Sequence, residues 1–166
     1  MSSARLDLAP GVSLRAALRD LYDDYFACLE DQDIDRWPSY FTDDGHYLVQ
    51  SAENHSLGLP IGEIFCDSAA MMRDRSKALQ ATSVYESRRL RYFPGVLRVG
   101  QAMQDGAIPV ELGYMAVESI VGDPPVLFSA GRSYDVVVQT GNGLRFRKRT
   151  VVYDHTWILN SLVFPL

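Results

Sequence analysis

Histidine and cysteine are scarce in this 166-residue chain, which has three of the first (His46, His55, His155) and two of the second (Cys28, Cys66). No C-x-x-C pair, H-E-x-x-H helix or glycine-rich phosphate loop occurs, so the common spacings for a metal centre or a nucleotide cradle are missing. His46 and His55 stand nine positions apart, without the helical spacing that would aim two imidazoles at one ion. No run of eighteen apolar residues exists, which gives no transmembrane helix to expect. The first residues, Met1–Leu8, contain no apolar h-region to mark the chain for secretion. The expectation is therefore a cytoplasmic protein in which Cys28 and Cys66 are buried free thiols. A net charge of −5 disfavours nucleic acid as a partner.

What is present is an ordinary globular composition, 47% hydrophobic and 22% charged, with its charges unevenly placed. Residues 20–44 carry nine acidic side chains against Arg36 alone. Half of the basic residues fall in two runs, Arg88/Arg89/Arg91/Arg98 and Arg145/Arg147/Lys148/Arg149. An acidic end and two basic runs can pair within the chain or serve neighbours.

Residues 1–12 read as an arm, and 13–166 as a single domain. Ser13 caps a helix to about residue 31, with Leu14, Leu18, Leu21/Tyr22, Tyr25 and Leu29 on one stripe. A second, short helix begins at Asp33 or Asp35, with Pro38 in its first turn. Thr42–Gly45 reads as a turn, His46–Ser51 as a first strand and residues 52–60 as a loop. Ile64–Cys66 is a brief strand, and Asp67 or Ser68 caps a third helix.

Beyond residue 84 the period changes to that of long strands: Val96–Met103, Ile108–Val121, Val126–Gln139 and Leu144–Asp154, with a hairpin at Thr140–Gly143. Strands of this length must bend, and Gly113 and Gly131 are the candidate bends. Helices followed by a meander of long strands give an α+β fold, a curved antiparallel sheet wrapped around N-terminal helices.

Two kinds of site are compatible with these residues. A cone-shaped cavity can hold a His–Asp dyad, with Asp44 and His46 as the pair and Tyr47, Tyr114 or Tyr134 as a donor to substrate oxygen. Against it stands the reading of Asp44 and His46 as turn plus edge strand. The sharper feature is Tyr85–Gly95, which sets Arg88, Arg89 and Arg91 among Tyr85, Tyr92 and Phe93. Arginine between aromatics is typical of protein interfaces; the alternative is an ion-pair face against the acidic helices. On Leu144–Asp154, strict alternation puts Arg145, Arg147 and Arg149 on one face, too charged at one end for a core. The apolar end, Leu162–Leu166, requires something to pack on.

Taken in order, Arg36–Phe41 leading into His46–Val49, Asp67–Arg75, Tyr85–Tyr92 and Leu162–Leu166 resemble the small (β) subunit of bacterial aromatic-ring-hydroxylating dioxygenases of Rieske type. Asn54–Leu59 and the helix after it are most similar to partners of enzymes acting on terephthalate, benzoate-type or salicylate substrates. The resemblance implies a cone-shaped fold shared with nuclear-transport-factor-like (NTF2-like), scytalone dehydratase and polyketide cyclase domains. It implies an α3β3 hexamer with large α subunits and other β subunits as partners. A Rieske [2Fe–2S] cluster and a mononuclear Fe(II) are then expected in the large subunit and none in this chain, which lacks the paired Cys/His spacing. Catalytic residues are expected to be absent, and Arg88, Arg89, Arg91, Tyr92, Phe164 and Leu166 become candidate contact residues. The alternative is a stand-alone dehydratase or cyclase of the same fold using Asp44, His46 and Tyr47.

Overall fold

The computed structural model describes residues 13–81, 88–155 and 164–166. Helix α1 (Leu14–Glu30) starts where the Ser13 hydroxyl accepts from the Ala16 N–H, and its buried stripe includes Leu18, Leu21, Tyr22, Tyr25 and Leu29. The short helix expected after Asp33 is a single 3-10 turn, Trp37–Tyr40. Strand β1 (Phe41–Ser51) begins five residues earlier than the alternation suggests. Thr42–Gly45 is a bulge within it rather than a turn before it: pairing with the last strand shifts register between Phe41 and His46. A Cβ at Gly45 would stand 2.8 Å from the Thr42 carbonyl oxygen, so glycine permits the tight passage.

The expected loop 52–60 contains a short helix, α2 (Ala52–Ser56), whose first turn is capped by the Ser51 hydroxyl. Strand β2 (Ile64–Cys66) and helix α3 (Ala69–Ala81) follow. Strand β3 (Arg88–Val99) lies earlier than the predicted Val96–Met103, because Leu90 and Tyr92 alternate with Arg89 and Arg91 as a strand in their own right. Strands β4 (Ile108–Ile120), β5 (Val126–Thr140) and β6 (Gly143–Tyr153) complete one sheet in the order β2-β1-β6-β5-β4-β3. Every pairing is antiparallel except β1 with β6, which is parallel. Of the two candidate bends, Gly131 is sterically required, since a Cβ there would meet the Val152 carbonyl oxygen at 2.0 Å; Gly113 has ordinary clearance.

Strand β3 is an edge strand, and α1 blocks it. Arg15 and Arg19 donate to the carbonyls of Leu97 and Gly95, Gln32 donates to that of Arg88, and the Glu30 carboxylate accepts from the Tyr92 N–H. These contacts occupy backbone groups that would otherwise be open to another strand.

A one-residue bulge in β6 overturns the strict alternation expected there. Val137 faces Phe146, yet Val136 faces Lys148, so Arg147 is the extra residue. Leu144 and Phe146 point into the core before the bulge; Arg149, Val151 and Tyr153 do so after it. Arg149 is therefore not a surface charge but one of the largest fully buried side chains.

Candidate functional site

The space between α1 and the sheet is where a cone of this shape would take a substrate, and aromatic side chains occupy it. Tyr25 contacts Phe26, Tyr40 and Phe146 edge-on at 5.5, 5.6 and 5.4 Å between ring centroids. Trp37, Tyr47 and Phe41 form a second group, with the Trp37 and Tyr47 centroids 5.2 Å apart.

At the centre lies the Arg149–Asp135 ion pair, 2.7 Å long and wholly without solvent exposure on either side chain. The Asp135 carboxylate also accepts from the Tyr22 hydroxyl at 2.5 Å and from that of Ser133 at 2.7 Å. The guanidinium lies 4.6 Å from the Tyr25 ring centroid. Burial pushes the Asp135 carboxyl upward, against the pull of Arg149 and the two hydroxyls. Burial disfavours the Arg149 charge as well, but Asp135 and the surrounding tyrosines outweigh it and hold the group above its ordinary value.

The dyad residues do not converge. Asp44 and His46 are exposed on β1, whereas Tyr47 points the other way into the core. The Tyr47 hydroxyl donates to the Leu166 carbonyl at 3.0 Å and accepts from the Leu166 N–H at 2.7 Å. Tyr114 is bonded to Ser129, and Tyr134 stacks on His55 at 4.7 Å, on the sheet face turned away from α1. A Rieske cluster does not fit this donor set. Cys28 lies on α1 and Cys66 on β2, both buried free thiols. Burial raises both, Cys28 to about 11, which disfavours the thiolates a cluster needs. Among the described residues no three His, Cys, Asp or Glu side chains come together.

The arginine segment divides by strand alternation. Leu90 and Tyr92 face inward, Arg89, Arg91 and Phe93 outward. Tyr92 stacks on Phe26 at 5.2 Å and donates its hydroxyl to the Pro165 carbonyl, so its side chain is buried in the chain's own interior. Leu166 is likewise fully buried, and Phe164 is half-buried against the same core. Arg88 is largely buried against Glu118 at 3.1 Å, while Arg91 bridges to Glu30 at 2.5 Å and stays half-exposed.

Residues 85–87 and 162–163 of these two motifs lie outside the described residues. What sequence reasoning missed is the apolar company of the outward side. Phe93 is 52% exposed opposite Met115, Arg91 faces Val117, and Val117 faces Leu127, itself 55% exposed. Knowing the β3–β4–β5 register would have revealed it.

The model of the family described as "Ring hydroxylating beta subunit" matches residues 27–160. The chain belongs to the ring-hydroxylating beta subunit family. It is 34% identical over 142 residues to the anthranilate 1,2-dioxygenase small subunit of Burkholderia cepacia, covering 86% of this chain and 88% of that one. It is 29% identical over 144 residues to terephthalate 1,2-dioxygenase terminal oxygenase component subunit beta 2 of Comamonas sp., covering 86% and 92%. Among solved structures, a chain assigned as an aromatic-ring-hydroxylating dioxygenase beta subunit of Novosphingobium aromaticivorans superposes with a TM-score of 0.81 at 28% identity, covering 91% of this chain and 95% of that one. A chain assigned as a scytalone dehydratase from the same organism, at 14% identity and a TM-score of 0.64 over 89% and 92%, shares the fold alone. This beta subunit thus works within a multi-subunit oxidoreductase whose partner is a large alpha subunit. No described helix is long and apolar enough to cross a membrane.

Proposed function

We propose that this chain is the non-catalytic small subunit of a Rieske-type oxygenase acting on an aromatic carboxylate in bacterial aromatic catabolism. Residues 13–166 act as one NTF2-like domain, in the cytoplasm. The Rieske [2Fe–2S] cluster and the mononuclear Fe(II) reside in the large subunit, and three small subunits hold three large ones in an α3β3 ring. The observation that carries this reading is the interior of the cone. It is occupied by rings around the Arg149–Asp135 pair, while Asp44 and His46 lie outside it. The aromatic-carboxylate class is supported by the anthranilate and terephthalate relatives.

Arg89, Arg91 and Phe93 are the contact residues for neighbouring subunits, with Met115 and Leu127 beside them. Arginine and aromatic side chains at the centre of such a patch carry most of an interface's energy. Arg88 belongs to the chain's own buried pairing with Glu118 and is excluded from this set.

The test is co-expression with the large subunit, affinity purification and light scattering on the eluted particle. A six-subunit assembly containing iron and labile sulfide is expected. An Arg89→Glu, Phe93→Ala double variant should keep its melting temperature and lose the large subunit. A monomeric wild-type chain that retains no iron–sulfur protein would overturn the subunit reading. A double variant that still assembles would move the contact elsewhere.

A further inference from the structure

A cavity of about 590 Å³ opens on the sheet face turned away from α1. That volume is in the range of small-molecule sites. Its floor is Leu48, Val136 and Thr150, on neighbouring strands β1, β5 and β6. One wall is pre-formed. His55 stacks on Tyr134 with 16° between ring planes, and its Nδ1 lies 3.0 Å from the Gln50 amide nitrogen, which ties α2 to β1. Leu59 and Pro60 continue that wall in apolar material.

Two cations line the cavity, Lys148 on β6 and Arg98 on β3. Lys148 lines it, is exposed, and has no ion pair among the described residues. The Glu111 carboxylate at the mouth is already bridged by two guanidiniums, Arg98 at 3.3 Å and Arg132 at 3.1 Å. Of the charged residues lining the cavity, Arg98 is paired with Glu111 and Asp135 is held by Arg149, so Lys148 is the cation left without an ion pair among the described residues. A half-open apolar slot bounded on one side by a stacked pair and lined by an ammonium without an ion pair suits a flat apolar body bearing one negative charge.

We propose that this cavity is a binding site for a small aromatic carboxylate, with its ring against Leu48, Val136 and the His55–Tyr134 wall and its carboxylate on Lys148. The site is separate from the Arg89–Phe93 patch. Arg98 pairs with Glu111 toward one end of the β3–β4 ladder, and Arg91 pairs with Val117 toward the other. It therefore stands or falls independently of the subunit contact proposed above.

The test is calorimetric titration of the full-length chain, alone and in complex with the large subunit, using benzoate and its neutral isostere benzamide. Saturable one-to-one binding of benzoate is expected, about tenfold tighter than benzamide, the discrimination one charge-assisted hydrogen bond supplies. Lys148→Gln should remove that preference without changing the melting temperature. Val136→Trp, which puts an indole into the floor, should abolish binding of both compounds. Equal affinity for benzoate and benzamide, or an unaltered preference in Lys148→Gln, would overturn the assignment of the anion. Binding present in the isolated chain and lost in the complex at the small-subunit site would show the cavity to be a seat for the partner, overturning the ligand site. Absence of saturable binding at millimolar benzoate in both forms would overturn it outright.

Discussion

Replacing Asp135 by asparagine should destabilise the domain more than any conservative surface change, by about 3–5 kcal/mol. The magnitude follows from the burial: neither side chain of the pair has solvent exposure, so loss of the carboxylate leaves a guanidinium that cannot shed its proton inside an aromatic core. Against a typical total of roughly 5–15 kcal/mol for a domain, that is a third or more of the stability.

The partner substitution is not symmetrical. In Arg149→Met the orphan is a carboxyl, which can take up a proton. Burial already raises Asp135, and removal of Arg149 removes the largest opposing influence. A carboxyl whose folded value lies above its unfolded value of about 3.9 contributes stability that is fully present below that pH and lost as the pH rises through the folded value. Arg149→Met should therefore be more stable at mildly acidic pH than above neutrality. The double variant Asp135→Leu, Arg149→Met should cost only about 1–3 kcal/mol, chiefly for the orphaned Tyr22 and Ser133 hydroxyls.

The assay is urea denaturation followed by tryptophan fluorescence, with the four proteins compared at two pH values. An Asp135→Asn cost below about 1 kcal/mol, or a double variant that costs more than Asp135→Asn alone, would refute the idea that the pair acts as a unit in the core.

Alkaline titration offers a second check. Burial raises Tyr22, Tyr25, Tyr47 and Tyr92 above 10.0, and Tyr114 to about 12, so their stabilising contribution is fully present below pH 10 and lost as the pH climbs beyond it. Tyr114 alone should account for roughly 2–3 kcal/mol between those limits, and absorbance at the phenolate band should show these tyrosines ionising only with unfolding. Gly131→Ala should cost about 1–3 kcal/mol or more, since the new methyl meets the Val152 carbonyl; Gly113→Ala should be much milder, as thermal melts of the two would register. Arg15→Ala with Arg19→Ala should change the melting temperature little but promote self-association, because the Gly95 and Leu97 carbonyls on the β3 edge are released; sedimentation velocity reads the difference.

The sequence by itself determined the fold class and the type of the longer elements. Leu18, Leu21, Tyr25 and Leu29 could only make one buried helical stripe, and the alternating second half could only make long strands. The motifs in order also carried the family. What residue types could not convey was register. Counting back from the Thr140–Gly143 hairpin places Asp135 opposite Lys148. A single extra residue at Arg147 puts it opposite Arg149 instead and turns a charge taken for surface into the centre of the core. Whether Tyr92 and Leu166 serve a neighbour or their own interior was equally hidden, since both answers are written with the same residues. The tertiary structure shows both packed within the chain, where the hydroxyls of Tyr25, Tyr47 and Tyr92 reach Pro165 and Leu166 across more than seventy positions of sequence. Local pattern specifies which groups avoid water; only packing specifies which of them meet.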